Sequence, residues 1–365
     1  MHGRYGVELI KNTKGIFKMS KRINVGVVGL GMGRAHIENY LKCKDASLIA
    51  ICDINDEKLK SCKNELNIPY AFKDYNKMFK LKELDAVSIA IPNFLHASVS
   101  IAALRAGKHV MCEKPLAMNA KEAQEMVDVA KSEGLILMTH FNSRFFPESQ
   151  YIKKFIDTGN LGEIYFARTG WHRRRGVPWF GEWFMDKKKS GGGPLIDLGV
   201  HRIDLAMWFM DNPKPVSVCG ATYTKIADKI AKKMGKKYDV EDLASAYIRF
   251  ENGATMAVET SWASNSEKQE DGFTQVYGDK GGALQRNLGD TYNFETKIFK
   301  EEARECVEII PKSYSLPWGN AQGHFVECLI NGKEPMATGE HGLEIMKILD
   351  AIYESSRTKK EVQIK

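Results

Sequence analysis

The chain has 365 residues, 27% of them charged, and a formal net charge of +7 at pH 7. Residues 1–22 hold six basic residues against Glu8 and so account for +5 of that charge. The nearly balanced remainder argues against a nucleic-acid-binding protein. No apolar run is long enough to span a bilayer.

The seven cysteines are scattered and form no CxxC pair. This usage is typical of reduced core thiols in a cytoplasmic protein, and we expect no metal site. The length accommodates two domains. Residues 1–20 show neither a core-forming pattern nor the apolar segment of a secretory signal, which predicts a disordered extension.

Short apolar runs alternate with helical patterns through the first third of the chain. This alternation predicts strands over 23–28, 47–52, 70–72, 85–91, 109–112 and 136–139, and helices over 34–41, 56–66, 96–106 and 121–133. Such units connect in a right-handed sense and build a parallel sheet. The fold class is therefore α/β for this part of the chain.

A glycine-rich loop, Gly29, Gly31, Met32 and Gly33, separates the first strand from the first helix. Glycines permit a tight turn and a close backbone approach to a pyrophosphate at the helix N-terminus. The strict GxGxxG spacing would place its third glycine at position 34, where the chain has Arg34. We expect either a shortened loop or a packing role for Gly33.

Asp53 ends the second predicted strand, where dinucleotide-binding domains place a carboxylate on the ribose hydroxyls. Its charge would repel a 2′-phosphate, and positions 54–57 contain no lysine or arginine. The sequence therefore favours NAD over NADP. Asp53 could instead only cap the next helix, but its charge would still disfavour the phosphate.

The second half alternates apolar and polar residues, which predicts strands over 164–170, 244–250 and 254–261, a helix over 343–356 and a short strand over 362–364. Asn252 and Gly253 lie between two of these runs and predict a hairpin turn. The lysine-rich stretch over 225–237 is interpreted as a solvated insert.

The segment 191–204 combines three glycines, Pro194 and three titratable side chains. Proline at a helix start predicts a helix beginning near Pro194. On that helix Asp197, His201 and Asp204 would share one face. An imidazole beside a carboxylate can move a proton near neutral pH, although a capping aspartate with an incidental histidine would give the same pattern.

Three motifs occur in order along the chain: Ile91–Pro92–Asn93–Phe94–Leu95–His96, Glu113–Lys114–Pro115 and Asp197-x-x-x-His201. With them, the chain from residue 23 onward resembles the glucose–fructose oxidoreductase/inositol dehydrogenase (Gfo/Idh/MocA) family. The resemblance implies a Rossmann NAD-binding domain over 21–139. It also implies a C-terminal α+β domain over 140–365, with a large, open, mostly antiparallel sheet for substrate binding and oligomerisation.

The family resemblance implies roles for several residues of this chain. Lys114 would lie near the reacting hydroxyl, Asp197 would support the site and His201 would be the general acid/base. The resemblance also implies cofactor contacts from the loops after the fourth and fifth strands, at Pro92, Asn93, His96, Glu113 and Lys114. His96 could instead be only a helix N-terminal residue.

A cluster of aromatic and basic residues follows the strand predicted over 164–170. Trp171 offers a face for sugar C–H groups, and Arg173 or Arg175 could reach hydroxyls or a carboxylate. A loop packed by tryptophans, with its arginines in solvent, would give the same pattern. The sequence does not decide which arginine faces the pocket. Trp262 and His324 are further candidates that could equally be packed in the core.

The sequence thus predicts an NAD-dependent oxidoreductase acting on a secondary hydroxyl of a sugar, polyol or glycoside. One alternative is an NAD-retaining, redox-neutral glycosidase, and another is a nucleotide-binding sensor or scaffold. The resemblance implies a homo-oligomer, a dimer or tetramer formed through the C-terminal sheet. No nucleic-acid or membrane partner is expected.

Deleting residues 1–20 should leave the melting temperature and turnover nearly unchanged, because nothing in that segment can form a core. Thermal melts of the full-length and truncated chains provide the measurement. A substantial loss of either property would show that the segment docks on the folded body.

Overall fold

The computed structural model describes residues 22–178, 183–314 and 319–365. The extension predicted over 1–20 lies outside the described residues. Within these ranges, no helix combines the length and apolar character needed to cross a membrane.

The first half forms a six-stranded parallel sheet with the order β3-β2-β1-β4-β5-β6. Its strands are β1 Ile23–Val28, β2 Ala46–Cys52, β3 Tyr70–Phe72, β4 Ala86–Ile89, β5 His109–Glu113 and β6 Leu137–His140. Its helices are α1 Gly33–Lys42, α2 Asp56–Leu66, α3 Tyr75–Phe79, α4 His96–Arg105 and α5 Ala120–Ser132. The predicted parallel sheet is confirmed because each strand is a short local apolar run followed by its own helix.

The second half is organised around a nine-stranded sheet with the order β14-β13-β12-β11-β7-β10-β9-β8-β15. Its strands are β7 Ile164–Arg173, β8 Pro215–Tyr223, β9 Leu243–Phe250, β10 Thr255–Ser261, β11 Glu270–Gly278, β12 Gly282–Asn287, β13 Phe294–Glu302, β14 Glu305–Ile309 and β15 Val362–Gln363. Only the central β7–β10 pair is parallel among these ladders. The predicted large, mostly antiparallel sheet is therefore confirmed.

Six helices accompany this sheet: α6 Pro147–Asp157, α7 Lys187–Ser190, α8 Val200–Phe209, α9 Ala227–Lys233, α10 Ala321–Asn331 and α11 Gly339–Thr358. The predicted hairpin turn at Asn252 and Gly253 joins β9 to β10. The lysine-rich insert contains α9. Helix α10 packs on α1 and β1, and α11 packs on both α5 and β8, so the C-terminal helices connect the two sheets.

The helix predicted from Pro194 begins differently from a regular α-helix. Leu195–Gly199 forms a π-helical turn, and α8 follows from Val200. The wider turn changes the angular spacing of the side chains. The prediction that Asp204 shares a face with Asp197 and His201 is wrong, because Asp204 is fully buried against Arg144.

Arg144 and Asp204 form a buried ion pair beneath α8. The guanidinium donates from Nε at 3.1 Å and from Nη2 at 2.7 Å to Asp204 Oδ1. Arg144 also donates to the carbonyl of Met336 before α11 and to Asn212 after α8. One side chain thus connects three separate segments of the second half.

Asp204→Ala should lower the free energy of unfolding by about 3–5 kcal/mol, because it leaves the Arg144 charge buried without its partner. The measurement is urea-induced unfolding followed by circular dichroism. Glu354→Ala removes the carboxylate of the exposed Arg357 pair and should leave the unfolding midpoint unchanged. Equal midpoints for the two variants would contradict the role assigned to the buried pair.

Candidate active site

A cavity of about 1520 Å³ lies where the first sheet meets the inner face of the second. Residues at the carboxyl ends of β1, β2, β4, β5 and β6 line it, and the end of β7 faces them. Parallel sheets bind their ligands at this edge. The cavity exceeds the roughly 300–1,000 Å³ of drug-sized sites and so has space for a dinucleotide with a second ligand.

The glycine loop forms one end of this cavity. Gly29 has a φ of +92°, and a Cβ there would lie 2.2 Å from the carbonyl oxygen of Ala90. Gly31 and Met32 line the cavity. A Cβ on Gly33 would lie 2.8 Å from Val27 on β1, so Gly33 has the packing role that was one of the two expectations.

The N-terminus of α1 opens beside this loop. Met32 occupies the N-cap position without a side-chain cap, and the first turn has no acidic residue. Unpaired N–H groups at a helix start attract phosphate. The loop and helix therefore fit the pyrophosphate of a dinucleotide.

Asp53 lines the same end of the cavity. Its Oδ2 accepts a hydrogen bond from Leu30 N at 2.7 Å and its Oδ1 accepts one from Asn55 N at 2.8 Å. These bonds hold the carboxylate at the end of β2. Lys58 and Lys73 also line the cavity, and the sequence argument, restricted to positions 54–57, did not include these two cations.

The loop after β4 contributes Pro92 and Asn93 to the cavity wall. Asn93 donates from Nδ2 to the carbonyl of Ser190 at 2.8 Å, which ties this loop to α7. His96 is almost fully buried outside the lining, with ring nitrogens 2.7 Å from the carbonyls of Ile91 and Pro115. Its position is that of a brace between two loops, which matches the alternative interpretation of His96.

Lys114 and Asp197 meet across the cavity. The Lys114 Nζ donates to the Asp197 carbonyl at 3.0 Å and to its Oδ1 at 3.1 Å. Trp262 Nε1 donates to Asp197 Oδ2 at 3.1 Å. Burial alone would raise the pKa of Asp197, but the charges of Lys114 and Arg173 hold it below its usual value. Asp197 is therefore ionised at neutral pH.

His201 lines the cavity close to this pair. Burial and the Lys114 charge hold the pKa of His201 well below 6.5, with Asp197 opposing them. The imidazole is thus neutral at pH 7, whereas the sequence suggested titration near neutrality. Both carboxylate oxygens of Asp197 already bond Lys114 or Trp262, and His201 Nδ1 has no hydrogen-bond partner in the described ranges.

Glu113 is held by two histidines that the sequence analysis missed. His36 Nε2 and His140 Nδ1 each lie 2.8 Å from Glu113 Oε1. The other oxygen, Oε2, accepts from the Lys114 backbone N–H at 3.1 Å. Burial alone would raise the pKa of Glu113, but the imidazoles hold it well below its usual value. The Glu113 carboxylate thereby fixes the backbone that carries Lys114.

The hydrogen-bond chain continues into the C-terminal helices. Asn39 Nδ2 donates to Gln322 Oε1 at 3.0 Å, which leaves Gln322 Nε2 to donate to His140 Nε2 at 3.2 Å. His140 must then carry its proton on Nδ1 and donate it to Glu113. All four residues line the cavity. This chain links α1 to α10 beside Lys114.

Among the described residues, one cluster has side chains of the types that bind metals: His36, Glu113 and His140. Their three ligand atoms lie within 4.8 Å of one another. Two imidazoles and a carboxylate suit zinc. The Gln322 bond, however, places a proton on the His140 nitrogen that a metal would need. The geometry of the three side chains therefore fits a hydrogen-bonded network better than a metal centre.

The end of β7 provides the opposite wall. Trp171 and Arg173 line the cavity with Tyr292. Glu270 Oε1 accepts from Trp171 Nε1 at 2.6 Å and from Arg173 Nε at 3.1 Å, and Arg173 also donates to the Tyr292 hydroxyl. Arg173 is thus the arginine that faces the pocket.

Arg175 lies outside the lining. It donates to the carbonyl of Ser264 at 2.8 Å and to Asn265 at 3.0 Å. The suggestion that Arg175 binds substrate does not fit this placement. The neighbouring Arg174 likewise holds the loop after β10, by donating to the carbonyl of Ser266 at 2.7 Å.

The two further candidates from the sequence are both packed. Trp262 is fully buried and acts on the site only through its bond to Asp197. His324 Nε2 accepts the backbone N–H of Met336 at 2.9 Å, outside the cavity lining. Among the missed residues, His140 carried a signal, since it directly follows the strand predicted over 136–139. Tyr292 and Glu270 carried none.

Comparison with known proteins agrees with this architecture. Residues 23–141 match the Gfo/Idh/MocA oxidoreductase family, NAD-binding Rossmann fold, and residues 153–364 match its C-terminal alpha/beta domain. D-glucoside 3-dehydrogenase of Escherichia coli (strain K12) is 32% identical over 356 residues, covering 94% of this chain and 98% of the relative.

Two further proteins give the same picture. Myo-inositol 2-dehydrogenase of Thermotoga maritima is 27% identical over 346 residues, covering 94% of this chain and 98% of the relative. A structure of levoglucosan dehydrogenase in complex with NADH and levoglucosan has a TM-score of 0.82 at 25% identity, covering 94% of this chain and 99% of that one. With an NAD-binding Rossmann domain and the matching C-terminal domain, the chain belongs to the Gfo/Idh/MocA oxidoreductase family, whose members here include sugar and inositol dehydrogenases.

Proposed function

We propose that this protein oxidises a secondary hydroxyl of a sugar, polyol or glycoside, with NAD as the hydride acceptor. The observation that carries the proposal is the Lys114–Asp197 pair, which lies beside a neutral His201 in a cavity with a phosphate-binding loop. Oxidation of an alcohol needs a group that takes the hydroxyl proton and a group that steadies the oxygen.

His201 is the proposed proton acceptor. A neutral imidazole can take the hydroxyl proton, and the low pKa keeps it neutral well into the acidic range. Lys114 is the proposed donor to the reacting oxygen, where its charge favours the developing alkoxide. Asp197 holds the ammonium in place through Oδ1 and its own carbonyl.

The proposed cofactor contacts extend along the cavity. Gly29, Gly31 and Met32 would hold the pyrophosphate, and Asp53 would bind the adenosine ribose. Pro92 and Asn93 would contact the cofactor from the opposite side of the cavity. When bound, the nicotinamide ring supplies the hydride acceptor. The Asp53 charge supports NAD over NADP. Of the two lysines that line this end, Lys73 already pairs with Asp56, so Lys58 is the cation that opposes the Asp53 charge.

The substrate wall supports a neutral, hydroxyl-rich ligand. Among the described residues, each of the two cations in this part of the cavity has its own carboxylate, Lys114 with Asp197 and Arg173 with Glu270. The paired charges leave no excess for an acid or a phosphate, whereas Trp171 and the Tyr292 hydroxyl suit a sugar ring. The named relatives act on a D-glucoside and on myo-inositol.

The oligomeric state and the cellular compartment of this protein remain predictions. The outer face of the second sheet is the proposed dimer or tetramer interface. All seven cysteines are free thiols, which supports a reducing compartment such as the cytoplasm. The division at residue 140 is kept as the proposed domain boundary.

The direct test is a panel of sugars, inositols, anhydrosugars and glycosides assayed at the nicotinamide absorbance. Net NADH formation supports the dehydrogenase. Release of an aglycone without net NADH would identify the protein as a redox-neutral glycosidase and not a dehydrogenase. Cofactor binding without any turnover would identify it as a nucleotide-binding sensor or scaffold.

His201→Asn should reduce turnover by about 10²–10⁴-fold, because it keeps much of the shape but removes the proton acceptor. In the wild type, kcat/KM for oxidation should fall on the acid side below pH 6.5, because the pKa of His201 is lowered and its protonation removes the base. The His201→Asn variant should lack this acid limb. Lys114→Met should reduce turnover and keep the limb, but it should move the limb to higher pH because the Lys114 charge no longer lowers the pKa of His201.

The matched control for this prediction is His172→Asn, because His172 lies outside the cavity lining and pairs with Glu259. It should keep the native rate. Near-native turnover of His201→Asn with an unchanged pH profile would show that another group accepts the hydroxyl proton.

Asp53→Ser should narrow the preference for NAD over NADP, because it removes the charge that repels a 2′-phosphate. The measurement is kcat/KM with each cofactor at saturating substrate. Glu57→Ser removes a carboxylate outside the cavity lining and should leave the ratio unchanged. A wild-type enzyme that strongly prefers NADP would refute the role of Asp53.

A further inference from the structure

Arg202, the residue after His201 on α8, is fully buried. Its guanidinium carbon lies 4.4 Å from the ring centroid of Trp171 and 4.7 Å from that of Phe294. Nη1 donates to Gln285 Oε1 at 3.1 Å. Within the described ranges, Nε and Nη2 have no hydrogen-bond acceptor.

A cation buried with these partners lowers the stability of the folded protein. Arg144, the other fully buried arginine discussed above, has the carboxylate of Asp204 within 2.7 Å. Arg202 has two aromatic faces and one neutral amide as direct partners, and Glu270 acts on it through its charge alone. Burial outweighs that charge and lowers the pKa of the guanidinium to about 9. Replacing buried charges with apolar side chains of similar volume is often neutral or stabilising. Stability therefore does not explain an arginine at this position.

The location of Arg202 suggests what it does instead. Trp171 lines the cavity and Arg202 does not, so the guanidinium packs on the indole from within the protein. The Trp171 Nε1 is fixed by Glu270, which also holds Arg173. Cation–π contact with a desolvated guanidinium is among the stronger forms of this interaction. Arg202 thus fixes a large ring of the substrate wall.

We propose that Arg202 is a positioning residue for substrate binding, which acts by holding the Trp171 indole in its orientation toward the cavity. The proposal rests on the proposed function, since it assigns the Trp171 wall to the sugar. It predicts an effect on sugar binding that is separate from folding, from cofactor binding and from the proton transfer at His201.

The test compares Arg202→Met, Arg202→Lys and Trp171→Leu with the double variant Arg202→Met/Trp171→Leu. Methionine has a similar length without the charge or planar fork, and lysine keeps the charge alone. The measurements are the melting temperature, kcat, and the KM values for the sugar and for NAD, using the sugar that the wild type turns over best.

Arg202→Met should melt at or above the wild-type temperature and raise the KM for the sugar by about 10-fold, the scale of a desolvated cation–π contact. The kcat and the KM for NAD should stay near their wild-type values. Arg202→Lys should recover part of the sugar KM. In the Trp171→Leu background, which lacks the aromatic face, Arg202→Met should add little, because the two residues act as one unit.

An unchanged sugar KM, or an equal increase in the presence and absence of Trp171, would overturn the proposal. So would a failure of both Arg202→Met and Arg202→Lys to fold, because Arg202 would then be a structural requirement. Failure of the proposed function is distinct: the wild type itself would then oxidise no sugar of the panel.

Discussion

The site depends on one interaction, the ion pair between Lys114 at the end of β5 and Asp197 in the π-helical turn before α8. It joins the Rossmann half to the second half at the point where the proposed chemistry takes place. A buried pair is costly unless its remaining bonds are satisfied. Here the Asp197 carbonyl and the Trp262 indole supply them, while Glu113 fixes the backbone of Lys114.

Burial and the Lys114 charge together determine the protonation state of His201. Both oppose a second positive charge and outweigh the opposite effect of Asp197, so the imidazole is kept neutral. An imidazole bonded directly to a carboxylate would favour protonation. By committing both oxygens of Asp197 to other donors, the fold keeps a neutral imidazole and a cation side by side, which are the base and the oxygen-binding group of the proposed reaction. This separation of roles is what alcohol oxidation requires.

The sequence was sufficient for the Rossmann half because its signals are local. Each strand precedes its helix, and Gly29, Asp53 and Lys114 all follow strand ends that share one edge of the sheet. The second half was less accessible, because β8 and β11 to β14 were not predicted. Their pairing depends on contacts between distant segments. The π-helical turn was also hidden, since the residue spacing alone suggested a regular helix.

The network around Glu113 shows the same limit. His36, His140 and Gln322 come from three segments that no short motif connects, and only folding brings them together. The family motifs located Lys114 but did not reveal what holds it.

The central claim is that this cavity transfers a hydride from a sugar carbon to NAD. The most direct measurement is a single-turnover reaction with a sugar deuterated at its carbinol carbons, followed by mass spectrometry of the cofactor. The account predicts reduced cofactor that carries one deuterium. Bound cofactor that acquires no deuterium from any sugar, inositol or glycoside would contradict it.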